Sequence, residues 1–173
     1  MKQQIVKGTS LWKSAFYLFS VLILIWLSLT RNLSLKELIP GLTLSAILTL
    51  TFSKQYSTLG FPRLSIKKAI YSLLYIAVLL KEIVAANFDV AYRVLHPKMP
   101  IKPGIVVIKT QLKQDIAKLI LANSITLTPG TFTLDIKEDR LLIHWIYVRS
   151  SDTEEATRMI GERFEKYLKV IFT

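Results

Sequence analysis

Three side chains near the middle of the chain could do chemistry: Lys81, Glu82 and Asp89. Glu82 and Asp89 are seven residues apart, two turns of a helix, so they share a helix face. Carboxylates of that kind, if buried in a membrane, can relay protons or bind a cation. The competing reading is the solvated face of a helix lying at a membrane surface, and it is the one adopted. The other candidates are thin. His96 and His144 fit no metal-ligand spacing, and with no cysteine there is no thiolate site, disulfide or cysteine nucleophile. No nucleophile elbow, phosphate-binding loop or dinucleotide fingerprint occurs. The sequence therefore implies neither catalytic residues, nor a cofactor, nor a metal, and the chain reads as a non-enzyme.

A second group is polar without being titratable. Asn123, Ser124, Thr126, Thr128 and Thr131 surround Pro129-Gly130. Pro129 presets φ at the second position of a β-turn and Gly130 supplies φ > 0 at the third, so residues 128–131 predict a type II turn. Before it, Ser124, Thr126 and Thr128 alternate with Ile125 and Leu127, which predicts an extended segment. After it, Thr131, Thr133 and Asp135 alternate with Phe132, Leu134 and Ile136, which predicts a strand. The rigid turn and its hydroxyls are expected to form a docking surface for a partner protein through Asn123, Ser124, Thr126, Thr128, Pro129, Gly130 and Thr131.

The elements that must carry these groups fall into two kinds. Residues 14–30 are uncharged, at the lower limit of a spanning helix. A second helix starts near residue 35, where Ser34 and Glu37 fit a capping box and Leu33 and Leu38 a hydrophobic staple. It is uncharged from 38 to 53, and Pro40-Gly41 should bend its entrance. The short connection predicts a helical hairpin. Thr43, Ser45, Thr49 and Thr51 either pack closely against the partner helix or bond back to their own backbone. Residues 54–63 read as a loop, and a long helix is predicted over 66–95 with Ser65 as its N-cap. Residues 69–80 are apolar all round but only about 18 Å long, short of the roughly 30 Å core. From Lys81 the helix turns amphipathic, with Ile83, Val84, Phe88, Ala91, Val94 and Leu95 opposite Lys81, Glu82, Asp89 and Arg93.

Charge decides between topologies. Residues 1–86 hold ten Lys/Arg and two acids; residues 87–173 hold thirteen Lys/Arg and ten acids. With two spans, only Arg31 and Lys36 stand on the far side. With three spans the cations divide almost evenly, and Lys81 and Glu82 stand in or near lipid. The positive-inside rule selects two spans, with both termini cytoplasmic and the third helix along the interface. The chain divides into a membrane region over 1–96, a Pro-rich linker over 97–104 and a cytoplasmic α+β domain over 105–173. In that domain a strand at 105–109, a helix at 111–122, the post-turn strand, a strand at 141–148 and a last helix with a Ser151–Glu154 capping box follow in order. This β-α-β-β-α series is a truncated ferredoxin-like sandwich.

The net charge of +11 and pI near 9.9 raise nucleic acid as a partner, but the cations flank apolar segments instead of forming a basic tract. The mean hydropathy of +0.41 fits a chain half in the membrane. The run Asn-Ser-Ile-Thr-Leu-Thr-Pro-Gly-Thr over 123–131 resembles the signature of the E subunits of the multisubunit Na⁺/H⁺ antiporters, the Mrp (Mnh, Pha) complexes, and the order of segments fits along the whole chain. The resemblance implies an accessory subunit of the cell membrane, working only with the other antiporter subunits and without nucleic acid; transport in that family is attributed to larger subunits. The alternative is a membrane-anchored binding module whose ferredoxin-like tail takes nucleic acid or acidic lipid, for which a basic sheet surface would speak.

Overall fold

The computed structural model describes residues 11–30, 34–58 and 65–173. Packing divides the chain into two units, Met1–Phe61 and Pro62–Thr173.

The first unit is the expected helical hairpin. Helix α1 covers Leu11–Thr30 and helix α2 Leu35–Thr58. The Ser34 carbonyl accepts from the amides of Glu37 and Leu38, each at 3.0 Å, and so closes the first turn of α2. Leu33 and Arg31 lie outside the described residues, as do residues 59–63 of the expected loop; its first part, 54–58, is not loop but the last turn and more of α2. The hairpin buries small and polar side chains. Gly41, Ser45 and Thr49 recur at every fourth position of α2 and are buried, as is Ser14 of α1. Thr43 and Thr51 instead donate to the carbonyls of Ile39 and Ile47. Both readings of the four hydroxyl residues thus hold, each for two of them. Trp26 lies over Gly41, where a Cβ would stand 2.4 Å from the indole Cδ1, and its Nε1 donates to the Glu37 carbonyl at 2.9 Å. The large apolar side chains, Trp12, Phe16, Leu24 and Leu50 among them, point outward.

The second unit begins with helix α3, Ile66–Leu95, and continues through β1 (Gly104–Lys109), α4 (Asp115–Leu127), β2 (Thr131–Lys137), β3 (Arg140–Trp145), α5 (Thr153–Ile160) and α6 (Glu162–Phe172). The strands form one antiparallel sheet in the order β1-β3-β2. Its inner face gives Val106, Ile108, Leu141 and Ile143 to a core completed by Leu121 and Ile125 of α4, Ile160 of α5 and Phe164 and Leu168 of α6. By polarity the sequence divides at the Pro-rich linker; by packing it divides before α3, which lies with the sheet and its helices.

Several expectations give way, among them the bounds of the helix at 111–122 and of the strand at 141–148, which run instead over Asp115–Leu127 and Arg140–Trp145. Residues 123–127 are helical and not extended, because Leu121 and Ile125, one turn apart, both enter the core, and five alternating residues satisfy a helical period as well as a strand's. The last helix is two helices meeting at Gly161, whose position a Cβ would bring within 3.3 Å of Ile108. Its N-cap is Asp152, which accepts from the Glu154 and Glu155 amides, and not Ser151. Lastly, a bulge between Thr133 and Asp135 in β2 resets the alternation, so Ile136 joins Thr131 and Thr133 on the inner side while Phe132 and Leu134 face out.

Candidate functional site

Helix α3 has two faces, and one of them, which includes Glu82 and Arg93, packs against the rest of its unit. Tyr71, Tyr75, Leu79, Glu82 and Arg93 recur at helical spacing on the side that meets the sheet-and-helix body. The Tyr71 ring lies 6.5 Å from that of Tyr167 on α6. Tyr75 is buried, and its hydroxyl shares a hydrogen bond with Ser124 Oγ of α4. Glu82 is ion-paired with Arg163 of α6, which also donates to the Met159 carbonyl. At the far end Arg93 is only 7% exposed. Its guanidinium donates to both oxygens of Asp89 at 2.8 and 3.0 Å and to the Pro100 carbonyl at 2.7 Å, and it lies 4.2 Å from the centre of the Tyr147 ring.

Of the candidate ion-path residues, Glu82 and Asp89 therefore each hold an arginine within this unit, and Lys81 is exposed. The three are not brought together around a common point. Arg93 and Arg163 are the residues that sequence reasoning missed. For Arg93 the signal was its i,i+4 spacing from Asp89; for Arg163, 81 residues from Glu82, there was none.

The Asn123–Thr131 stretch is the second half of this arrangement. The type II turn is present: Gly130 has φ +91° and the Thr131 amide donates to the Thr128 carbonyl at 3.3 Å. The hydroxyls, however, point into the unit. Ser124, 2% exposed, donates to the Ile120 carbonyl and meets Tyr75. Thr128 and Thr131 both donate to the Ile125 carbonyl, at 2.7 and 2.6 Å, which stops the helix. Thr126 Oγ1 accepts from the Thr133 amide at 3.1 Å, and Thr133 Oγ1 donates to the Ala122 carbonyl at 3.0 Å. Gly130 sits where a Cβ would come within 2.9 Å of Ile146 and 3.5 Å of Val90 on α3. The stretch ties the end of α4 to β2 and both to α3. Among its polar side chains Asn123 is the exposed one.

The outer face of the sheet carries Ile105, Phe132, Leu134 and Leu142 around His144, with Lys109, Arg140 and Lys137 aligned in register at one end. Asp135 lies 3.3 Å from Lys137, and Glu138 and Asp139 fill the adjoining turn, so this end of the face is mixed in charge. Among the described residues no three His, Asp or Glu side chains converge as metal ligands would.

By length and composition Leu35–Ser57 and Ile66–Leu95 can each cross a membrane, and Ser14–Thr30 is a shorter apolar helix. Comparison with known proteins gives these segments a context. Residues 19–171 match the family of the Na+/H+ ion antiporter subunit, MNHE. The E subunit of the Na(+)/H(+) antiporter of Bacillus subtilis (strain 168) is 34% identical over 146 residues, 84% of this chain and 90% of the relative. The E1 subunit of the Na(+)/H(+) antiporter of Staphylococcus haemolyticus (strain JCSC1435) is 36% identical over 152 residues, 87% and 92% of the two chains. Among solved structures, a chain of the membrane-bound sulfane sulfur reductase (MBS), an archaeal respiratory membrane complex, superposes with a TM-score of 0.81 at 49% identity, covering 92% of this chain and 99% of that one.

Proposed function

This chain belongs to the family of Na⁺/H⁺ antiporter E subunits, and from that premise we propose that it is an accessory integral component of a multisubunit cation/proton antiporter assembly, exchanging Na⁺ for H⁺ only as part of the whole. The observation that carries this reading is the match along almost the full chain, hairpin and sheet together. The hairpin is the membrane anchor: its interior is small and polar and its outside apolar, as close helix packing in lipid requires. Both termini and the sheet-bearing unit lie on the cytoplasmic side, a placement supported by the positive-inside count. The strand order β1-β3-β2 with helices on one face supports a truncated ferredoxin-like sandwich for residues 104–172. Glu82 and Asp89, each held by an arginine, hold the unit together and lie off any ion path.

Docking of the soluble unit onto its partner subunits falls to exposed groups: Asn123 beside the turn, and Phe132, Leu134 and Leu142 on the outer sheet face. Since Ser124, Thr126, Thr128 and Thr131 are engaged internally, they act on docking through the turn they hold. The 49% identity to a chain of a respiratory membrane complex favours a second version of the same role, in which the antiporter-type subunits are built into a redox assembly. One experiment addresses both. The tagged chain, purified in mild detergent, should bring down large antiporter-like subunits; additional cofactor-carrying subunits would select the respiratory version. Recovery of the folded chain alone, from membranes in which its deletion leaves Na⁺ tolerance intact, would overturn the proposal.

A further inference from the structure

The outward face of α3 is apolar along most of its length. Ile66, Ile70, Leu73, Leu80, Val84 and Phe88 are all exposed, on a helix of 30 residues, about 45 Å long. The opposite face is fastened to the sheet-and-helix body from Tyr71 to Arg93, about 33 Å of helix. That fastening decides the helix's attitude. A helix crossing the bilayer would draw the body beside it, with Arg163, Glu165, Lys166 and Lys169, into a hydrocarbon core about 30 Å thick. A helix lying flat puts the apolar face in lipid and the body in water. Two further facts identify lipid as the occupant. In sequence only residues 59–65 separate the end of α2, a candidate span, from the start of α3, and such a tether reaches about 25 Å at most, so α3 starts near the headgroups. The cations Lys67, Lys68 and Lys81 stand on α3 with no acid but Glu82 and Asp89, which are both engaged by arginines; this leaves a positive margin for anionic headgroups.

Resting on the reading of the chain as a membrane subunit, we infer that α3 lies in the headgroup–acyl boundary as a plate on which the sheet-bearing unit is mounted, held by Tyr75–Ser124, Glu82–Arg163 and the Arg93 cluster. The α+β body is thereby fixed at a set distance and orientation beneath the membrane, with its outer sheet face free for a partner protein.

The chain has no cysteine, so single-cysteine variants report one position each. Ile70→Cys, Leu80→Cys, Val84→Cys, Phe88→Cys, Asp115→Cys on α4 and Leu24→Cys on α1 would be made in the full chain. Each is purified with its accompanying subunits, labelled with a fluorophore and reconstituted into phosphatidylcholine/phosphatidylglycerol vesicles bearing nitroxides at known acyl depths. The four α3 labels should be quenched to one shallow depth, about 5–10 Å below the surface. The Asp115 label should answer only to an aqueous quencher, and the Leu24 label to deep nitroxides. Depths on α3 that run progressively across the bilayer overturn the inference in favour of a third span. Absence of lipid quenching on α3 with Leu24 still deep overturns it in favour of a protein partner. Loss of quenching at Leu24 as well would instead sink the membrane-subunit reading itself.

Discussion

The two units of this chain are packed inside out with respect to each other. Among the described hairpin residues the buried side chains are Ser14, Ser45 and Thr49, with Gly41 beneath Trp26, while Phe16, Leu24, Leu29, Leu44, Leu50 and Phe52 face outward. In the second unit Ile108, Leu121, Ile125, Leu141, Ile143, Phe164 and Leu168 are inside and the lysines outside, with Glu165 the one glutamate buried among the described residues. The same twenty side chains obey opposite rules because the solvents differ. Water drives apolar surface inward at roughly 25 cal/mol per Å², whereas lipid offers no such drive and leaves close backbone approach to hold helices together. Helix α3 obeys both rules on one cylinder, which is why its character was the hardest to read.

Substitutions that exchange the two logics should have very different costs. The largest effect is expected from Phe164→Ala, 1% exposed in the soluble core, at about 3–5 kcal/mol. Hydrogen exchange should then show β3 amides losing protection, while Leu50→Ala on the outside of the hairpin leaves them unchanged. Gly41→Val should destabilise the hairpin by overpacking against Trp26, about 1–3 kcal/mol, and lower the amount of chain accumulated in membranes without touching β3 protection. Arg93→Met should cost about 1–3 kcal/mol, because Asp89 and the Pro100 carbonyl lose a charged donor and the Tyr147 ring its cation. Limited proteolysis near residues 96–101 is the measurement, and unchanged cleavage would show that the linker is held by other contacts. Ser124→Ala should cost about 1–2 kcal/mol by leaving the Tyr75 hydroxyl buried without its partner. Restoring part of that loss with Tyr75→Phe in the same chain would isolate the contact, since removing both groups leaves nothing unpaired. Smallest is Glu82→Gln, a partly exposed pair worth about 0–1 kcal/mol, which should leave Na⁺ tolerance intact. Loss of transport from a fully assembled complex would make Glu82 an ion-path residue.

What could be read from the sequence follows the same division. The hairpin was legible because runs without charge and a Ser34–Glu37 start are local signals. The turn was legible because Pro129-Gly130 admits few backbone shapes, and Gly130 adopts φ +91°. The helical state of 123–127 was not legible, since the choice between periods of two and 3.6 is made by Leu121 and Ile125 meeting a core built from distant residues. The use of the hydroxyls was hidden for the same reason. A run of Ser and Thr looks alike whether it faces a partner or, as with Ser124 and Tyr75 across 49 residues, another part of its own chain. Glu82 and Asp89 were identified as sharing a face, but which surroundings that face meets depends on α6, far along the sequence.

The bulge in β2 has a further bearing on life in a crowded membrane. A three-stranded sheet has two open margins, and each is a template onto which another copy could polymerise. Here neither margin offers an unbroken row of free amides. On β2 the Thr133 amide is taken by Thr126 and the Ile136 amide by Asp135, on either side of the bulge. On β1 the Lys109 amide is taken by Thr157 of α5. Copies held at one height under the bilayer would meet far more often than in free solution, and margins so occupied keep those encounters from ending in strand exchange.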